Sequence, residues 1–186
     1  MSSLDRAAAG RHGLPAARPS HLVPTRVLEP KRAPRLFVRP LGHGDARTVM
    51  TLFERLGERS RRARFNGPKP CLRSSELRRL ASVDADRHAL VAHVESDAEP
   101  VAIARLVRVG DEAEIAFAVA DEYQRRGIGS ALVAELVADA RAAGIREVTA
   151  LVASDNAGAV AIMRRIARAL DIRFEGPELS IRAAIV

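Results

Sequence analysis

The 186-residue chain has no tryptophan, one tyrosine, one cysteine and an aromatic fraction of 3 %. So few flat rings leave almost no platform on which bases could stack, so nucleic acid is not expected as a partner despite a net charge of +7. The lone Cys71 cannot close an internal disulfide and fits a reducing compartment. No apolar run approaches the roughly 18 residues that a membrane span needs. The N-terminal stretch up to Pro34 lacks the continuous apolar segment of a secretory leader. A cytoplasmic protein without a membrane partner is expected. His43, His88 and His93 show no metal-ligand spacing with other residues, so no metal is expected either. Lysine is nearly missing, with Lys31 and Lys69 against 28 arginines, which reads as the codon usage of a GC-rich bacterial genome.

What is present is a globular composition, 47 % apolar, long enough for one domain and a tail. Residues 1–34 carry six basic and two acidic groups, so they hold +4 of the total charge and leave +3 to the rest. They also contain five prolines and no hydrophobic period, which predicts a disordered basic arm over 1–34 and a folded domain over 35–186.

Within the domain, Leu36–Pro40 reads as a strand and Asp45 opens a helix through Val49, Leu52, Phe53 and Leu56, closed by Gly57. Glu58 to Pro70 is arginine-rich, and Ser74 or Ser75 caps a second helix through Leu77 and Leu80. Strands are predicted at His88–Glu95, Val101–Val109 and Glu112–Val119, with turns at Asp97–Pro100 and Gly110–Asp111. A helix from about Gly127 to Ala143, a strand at Glu147–Ala153, a helix from about Asn156 to Leu170 and two short strands complete an α+β domain with a mixed sheet.

The segment Gln124-Arg125-Arg126-Gly127-Ile128-Gly129-Ser130 lies between the strand and the helix at Gly127. A strand that feeds a glycine turn and then a helix aims unpaired N–H groups at one spot, where the helix dipole also favours negative charge. A diphosphate suits such a cradle. A dinucleotide fingerprint would need a third glycine, and Ala131 and Leu132 stand in its place.

With Gln124, Gly127 and Gly129 filling its pattern, the segment resembles the acyl-CoA pyrophosphate loop of the GNAT superfamily of N-acetyltransferases, and the likeness runs from about Arg35 to Val186. It is most similar to the catalytic domain of mycobacterial protein lysine acetyltransferases, through Ala113-Glu114-Ile115-Ala116-Phe117, Asp155-Asn156-Ala157 and Ile162-Met163-Arg164-Arg165. Those relatives carry a cyclic-nucleotide-binding domain before the catalytic one, for which this chain has no room. The resemblance implies a mostly antiparallel sheet of six to seven strands flanked by about four helices.

It also implies acetyl-CoA as co-substrate. Backbone N–H groups of Arg125, Arg126, Gly127, Ile128, Gly129 and Ser130 would hold the pyrophosphate after Gln124. Phe117, Ala118 and Val119 would pair with the pantetheine arm along an edge opened by two splayed parallel strands, and a bulge there would aim an N–H at the thioester. Glu114 reads either as a solvated strand residue or, in the matching family context, as a partly desolvated general base with a raised pKa. Asn156 would contact the cofactor, cap the next helix, or do both. The family's acid, a tyrosine seven residues on, is replaced by Met163. Arg55, Arg59, Arg61, Arg62 and Arg64 would form part of the acceptor cleft or merely a solvated face. The implied reaction is direct attack by an amine on acetyl-CoA in a ternary complex, with a protein lysine as acceptor. The alternatives are a small-molecule amine, a protein N-terminus, or a non-catalytic acyl-CoA-binding regulatory module.

Overall fold

The computed structural model describes residues 25–30 and 34–186; most of the expected arm, residues 1–24, lies outside the described residues, as do 31–33. Eight strands are described: β1 (Arg26–Leu28), β2 (Leu36–Pro40), β3 (Arg87–Val94), β4 (Asp97–Val109), β5 (Glu112–Val119), β6 (Glu147–Ala153), β7 (Ala169–Glu175) and β8 (Glu178–Ala184). Five helices accompany them: α1 (Ala46–Glu54), α2 (Glu58–Phe65), α3 (Ser74–Ala81), α4 (Ile128–Ala142) and α5 (Ala157–Ile166). The α+β class holds, with one strand and one helix more than expected. The sheet order is β1-β2-β3-β4-β5-β6-β8-β7, and only β5–β6 is parallel.

Strand alternation divides the core in two. Leu90, Ala92, Ala102, Ala104, Leu106, Ala113 and Ile115 face α4 and α5, where Leu132, Val133, Leu136, Val137 and Met163 are buried. Ala89, Val91 and Ile103 face the opposite way, against Val49, Leu52 and Phe53 of α1 and Ala81 of α3. Because both faces of the central strands are covered, β3 and β4 read as continuous apolar runs. Arg105 is the polar exception on the α3 side. It is 6 % exposed, and its guanidinium donates to the carbonyls of Leu80, Arg79 and Ser82 at the C-terminus of α3.

The extra strand is β1, which pairs antiparallel with β2 from Arg26 opposite Val38 to Leu28 opposite Leu36. It falls inside the stretch expected to be a disordered arm. Arg26 fastens it, donating to Asp139 Oδ1 at 2.7 Å and Glu135 Oε2 at 3.2 Å on α4. Asp139 also meets the buried His88 ring at 2.9 Å.

The extra helix is α2, Glu-Arg-Ser-Arg-Arg-Ala-Arg-Phe, which buries no residue fully. It is held from outside its own pattern. The Arg61 guanidinium lies 4.3 Å from the Phe53 ring centroid and donates to the carbonyls of Phe53 and Pro70, and Phe65 meets Phe53 edge-on at 5.9 Å.

Three boundaries also differ. β4 starts at Asp97, within the expected turn, and Pro100 fits because the β3–β4 register shifts between Ala92 and Val94. The position before α3 is Arg73, whose backbone N–H is satisfied by Glu76 Oε2 at 2.9 Å, in place of a serine cap. α5 stops at Ile166 because Ala167 turns extended and Arg168 N–H donates to Ala184 O at 2.8 Å, starting β7.

Candidate functional site

β5 and β6 pair only where Glu112, Ala113 and Glu114 lie opposite Glu147, Val148 and Thr149. Beyond that point they diverge. Ile115–Val119 and Ala150–Ala153 become the two walls of a cleft of about 780 Å³. One end is closed by the segment from Gln124 to Ser130, the floor by the start of α5, and one side by Arg59, Ser60, Arg62, Ala63 and Arg64 of α2. β6 is fully paired to β8 on its other side and β5 to β4, so the edges facing the cleft are the ones left over.

The β4–β5 ladder runs in unbroken register from Val109 opposite Glu112 to Ala102 opposite Val119. The bulge expected in β5 is absent, and the open edge arises from the divergence of the parallel pair alone.

At the closed end, Arg125 (φ 59°) and Gly127 (φ 79°) both take the left-handed conformation, and the chain doubles back into α4. Gly127 stands at the N-cap with no side-chain cap and the first turn holds no acidic residue. The N–H groups of that turn are therefore free to meet an anion. Space at Gly129 is tight, since a Cβ there would lie 3.2 Å from both Ile162 Cδ1 and Val119 Cγ2, which would have to give by a few tenths of an ångström.

The cleft gathers Phe117, Ala118, Val119, Gln124, Arg125, Gly127, Ile128, Gly129, Ser130 and Asn156. Their parts are not all those expected. The Gln124 amide is exposed but bonded back to the protein, with Nε2 2.9 Å from Ser60 Oγ, 3.1 Å from Val119 O and 3.2 Å from Asp121 Oδ1. It braces the loop. Ile128 is buried, so only its backbone is available. Asn156 accepts from Ala159 N–H at 3.1 Å as the α5 cap while lining the cleft, so it has both positions anticipated for it. Arg126 stands apart, with its guanidinium 5.2 Å from the Tyr123 ring centroid.

Glu114 lies on the face of β5 shared with Ala116 and Ala118, at the mouth of the divergence and outside the cleft lining. It is exposed, so of the two environments anticipated for it the solvated one is found. Its surroundings are cationic, with Arg105 opposite Ala116 on β4 and Arg64 within reach of its field. Met163 is fully buried in the core, and Ile162 presents to the cleft instead. Residue 163 does not face the space where an acid would work.

Of the five arginines noted in sequence, Arg59, Arg62 and Arg64 line the cleft. Arg61 is spent on α2 as above, and Arg55 donates to Asp97 Oδ2 at 2.5 Å and to Glu122. Ser60 and the β6 wall carried no sequence signal, since a serine among arginines and an apolar strand are unremarkable before the fold joins them. Cys71 is exposed, and His43 is tied to the backbone of Val83. No helix among the described residues is long and apolar enough to cross a membrane.

Comparison with known proteins agrees with this geometry. Residues 53–167 match the Acetyltransferase (GNAT) family. Over 134 residues the chain is 34 % identical to Acetyltransferase Pat of Mycolicibacterium smegmatis, covering 70 % of this chain and 40 % of that protein. It thus spans well under half the length of that relative. The crystal structure of the GNAT domain of S. lividans PAT superposes with a TM-score of 0.77 at 29 % identity, covering 90 % of this chain and 99 % of that one. The cAMP-binding acyltransferase from Mycobacterium smegmatis gives 0.62 at 27 % identity, covering 88 % of this chain and 48 % of that one. The family match takes in α2, both diverging strands, the glycine loop and the two helices behind it, and the chain belongs to the acetyltransferase (GNAT) family.

Proposed function

We propose that this protein transfers an acetyl group from acetyl-CoA to an amine, with a protein lysine side chain as the acceptor. The observation that carries the reading is the divergence of β5 from β6 beyond Glu114 and Thr149, ending at an uncapped helix start. The free N–H groups of α4 and the preceding loop suit a diphosphate, and Arg59, Arg62 and Arg125 add positive charge around it. The unpaired edge of β5 at Phe117 and Ala118 suits the amide-bearing pantetheine arm, which would lie along it as a further strand.

In the reaction the lysine ammonium first loses a proton. Glu114 is assigned as the acceptor of that proton and, being exposed, works through an intervening water. The amine nitrogen then bonds to the thioester carbonyl carbon, the C–S bond breaks, and CoA leaves as a thiolate; the attacking nitrogen sheds its second proton as the amide forms, and that proton balances the one the thiolate takes to become the thiol. A thiol pKa near 8.5 makes this a tolerable leaving group without a side-chain acid, which is consistent with a buried Met163. The lysine acceptor is supported by the Ala113–Phe117 and Asp155–Ala157 likeness to protein lysine acetyltransferases.

The buried Met163 and exposed Glu114 also suit a module that binds acyl-CoA without turnover. Calorimetry with acetyl-CoA followed by thiol release on a panel of acetylatable proteins separates the two. Binding with release that collapses in Glu114→Gln supports the transferase and its base. Binding without release on any protein or small amine supports the module, and no binding overturns both.

A further inference from the structure

β1 and β7 end the sheet on its two sides, and the two edges are built differently. β1 is three residues long, and so short an edge offers little ladder to another chain. β7 runs for seven residues, and its pairing with β8 is unbroken from Ala169 opposite Ala184 to Glu175 opposite Glu178. Among the described residues nothing pairs with its other side. The devices that usually blunt such an edge are missing: β7 has no proline, no lysine, no bulge, and no charge on the face turned to the core.

That face consists of Leu170, Ile172 and Phe174. Leu170 and Ile172 pack against the core shared with α4 and α5. Phe174, in line with them, is 81 % exposed, whereas the other four phenylalanines are buried or half-buried. The opposite face of the strand carries Asp171, Arg173 and Glu175, all exposed. An apolar row that runs out to an exposed aromatic on an unpaired edge suits the addition of another strand.

The pattern of β7 itself says which strand. Two copies related by a two-fold axis perpendicular to the sheet pair antiparallel, and the axis must pass through a residue if apolar side chains are to meet apolar ones on one face. Centred on Ile172, it sets Asp171 opposite Arg173 of the second copy, twice over, and Leu170 opposite Phe174. Centred on Asp171, it sets that carboxylate against its own copy. Centred on Arg173, it sets arginine against arginine and Asp171 against Glu175. Like charges directly opposite are destabilising, so one register is favoured over both neighbours. Within a single chain Arg173 Nε already meets Asp171 Oδ2 at 2.9 Å, and the pairing closes a ring of four alternating charges.

We propose that β7 is the interface of a homodimer in which two copies pair antiparallel about Ile172 and continue one sheet into the next. A seven-residue ladder is small beside the roughly 800 Å² per partner of a standard interface, so association is expected at protein concentrations on the order of 10–100 µM.

Sedimentation velocity of the full chain from about 1 to about 200 µM tests this. The wild type is expected to move from 20.1 kDa towards twice that mass. Arg173→Asp sets carboxylate against carboxylate at both symmetric positions and is expected to weaken association about tenfold. Combining it with Asp171→Arg restores opposite charges in the same register and should recover most of that loss. Phe174→Ser changes no charge, is expected to weaken association by about the same factor, and serves alone should a charge variant not fold. A wild type that stays monomeric throughout overturns the interface, as does a dimer that Arg173→Asp and Phe174→Ser leave unchanged. Weakening by Arg173→Asp without recovery in the double variant overturns the register centred on Ile172. A chain beginning at residue 25 that dimerises where the full chain does not gives the edge to residues 1–24 and overturns a second copy as its occupant.

Discussion

Gln124 Nε2 donates to the carbonyl of Val119 at 3.1 Å, so the residue that opens the glycine loop ties it back to the end of the strand it has just left. The same amide is 2.9 Å from Ser60 Oγ on α2, joining three walls of the cleft at one nitrogen. A side chain that shapes the cradle without entering it should influence affinity more than folding. Gln124→Ala is expected to weaken acetyl-CoA binding about tenfold, or about 1.4 kcal/mol, with little change in Tm. Calorimetry beside thermal melting checks this, and an unchanged Kd would show that the loop holds its shape without the brace.

Gly129 tests the packing behind the cradle. A methyl group there would press on Ile162 Cδ1 and Val119 Cγ2, each 3.2 Å away, at the junction of β5, α4 and α5. Gly129→Ala is expected to cost about 1–3 kcal/mol as overpacking and to weaken acetyl-CoA binding by moving the start of α4. Adding Ile162→Val removes one of the two obstructing atoms and should recover part of both losses. Urea unfolding of the two single variants and the double variant measures the coupling, and strict additivity would mean that crowding is not the reason for glycine at 129.

Legibility in the sequence followed how local the cause was. The Glu112–Val119 and Glu147–Ala153 strands and the helix after Gly127 lie where apolar periodicity places them, because their own side chains form the core. α2 was illegible for the opposite reason: with four arginines in eight residues and no buried face, it is held by Phe53 and Gln124 from elsewhere in the chain. The end of α5 at Ile166 depends on a carbonyl of Ala184, which no local pattern announces. At the site, the loop glycines were readable as a motif. The choice between a solvated and a desolvated Glu114 stayed open in the sequence, since it depends on where β6 leaves β5 and how far α2 reaches.

Asp97 gives a prediction in pH. The Arg55 guanidinium and the Glu99 N–H hold its carboxyl down to about 2, helped by the Tyr123 hydroxyl at 2.9 Å. A carboxyl whose folded pKa lies below its unfolded value stabilises the fold above the unfolded value, near 3.9, and loses that contribution as pH falls through the folded one. With solvent screening allowed for, the contribution is on the order of 1–2 kcal/mol at neutral pH. Asp97→Asn should be less stable than wild type by about that amount at pH 7, with the gap narrowing from about pH 4 towards pH 2. Urea midpoints of both chains across this range test it, and a gap that stays constant with pH would mean that the Asp97 charge is not the cause.

The start of the folded domain can be tested by where the chain is cut. Arg26 ties β1 to α4 by side-chain hydrogen bonds, and its bond to Asp139 Oδ1 at 2.7 Å completes a chain that continues to the buried His88 ring. Burial pushes the Asp139 carboxyl up, but the hydrogen bonds from His88 and Arg26 together hold it below its ordinary value, so both partners favour its charged form. A chain beginning at residue 34 lacks both the edge strand and Arg26, whereas one beginning at residue 25 keeps them. The shorter chain is expected to be less stable by about 1–3 kcal/mol, and Arg26→Ala in the longer one should reproduce part of the difference. Acetyl-CoA affinity should be the same for both, because β1 lies at the far edge of the sheet from the β5–β6 cleft. Equal stability of the two chains would mean that β1 contributes nothing and that the domain begins at residue 35, while a loss of affinity without a loss of stability would tie the edge strand to the cleft through α4.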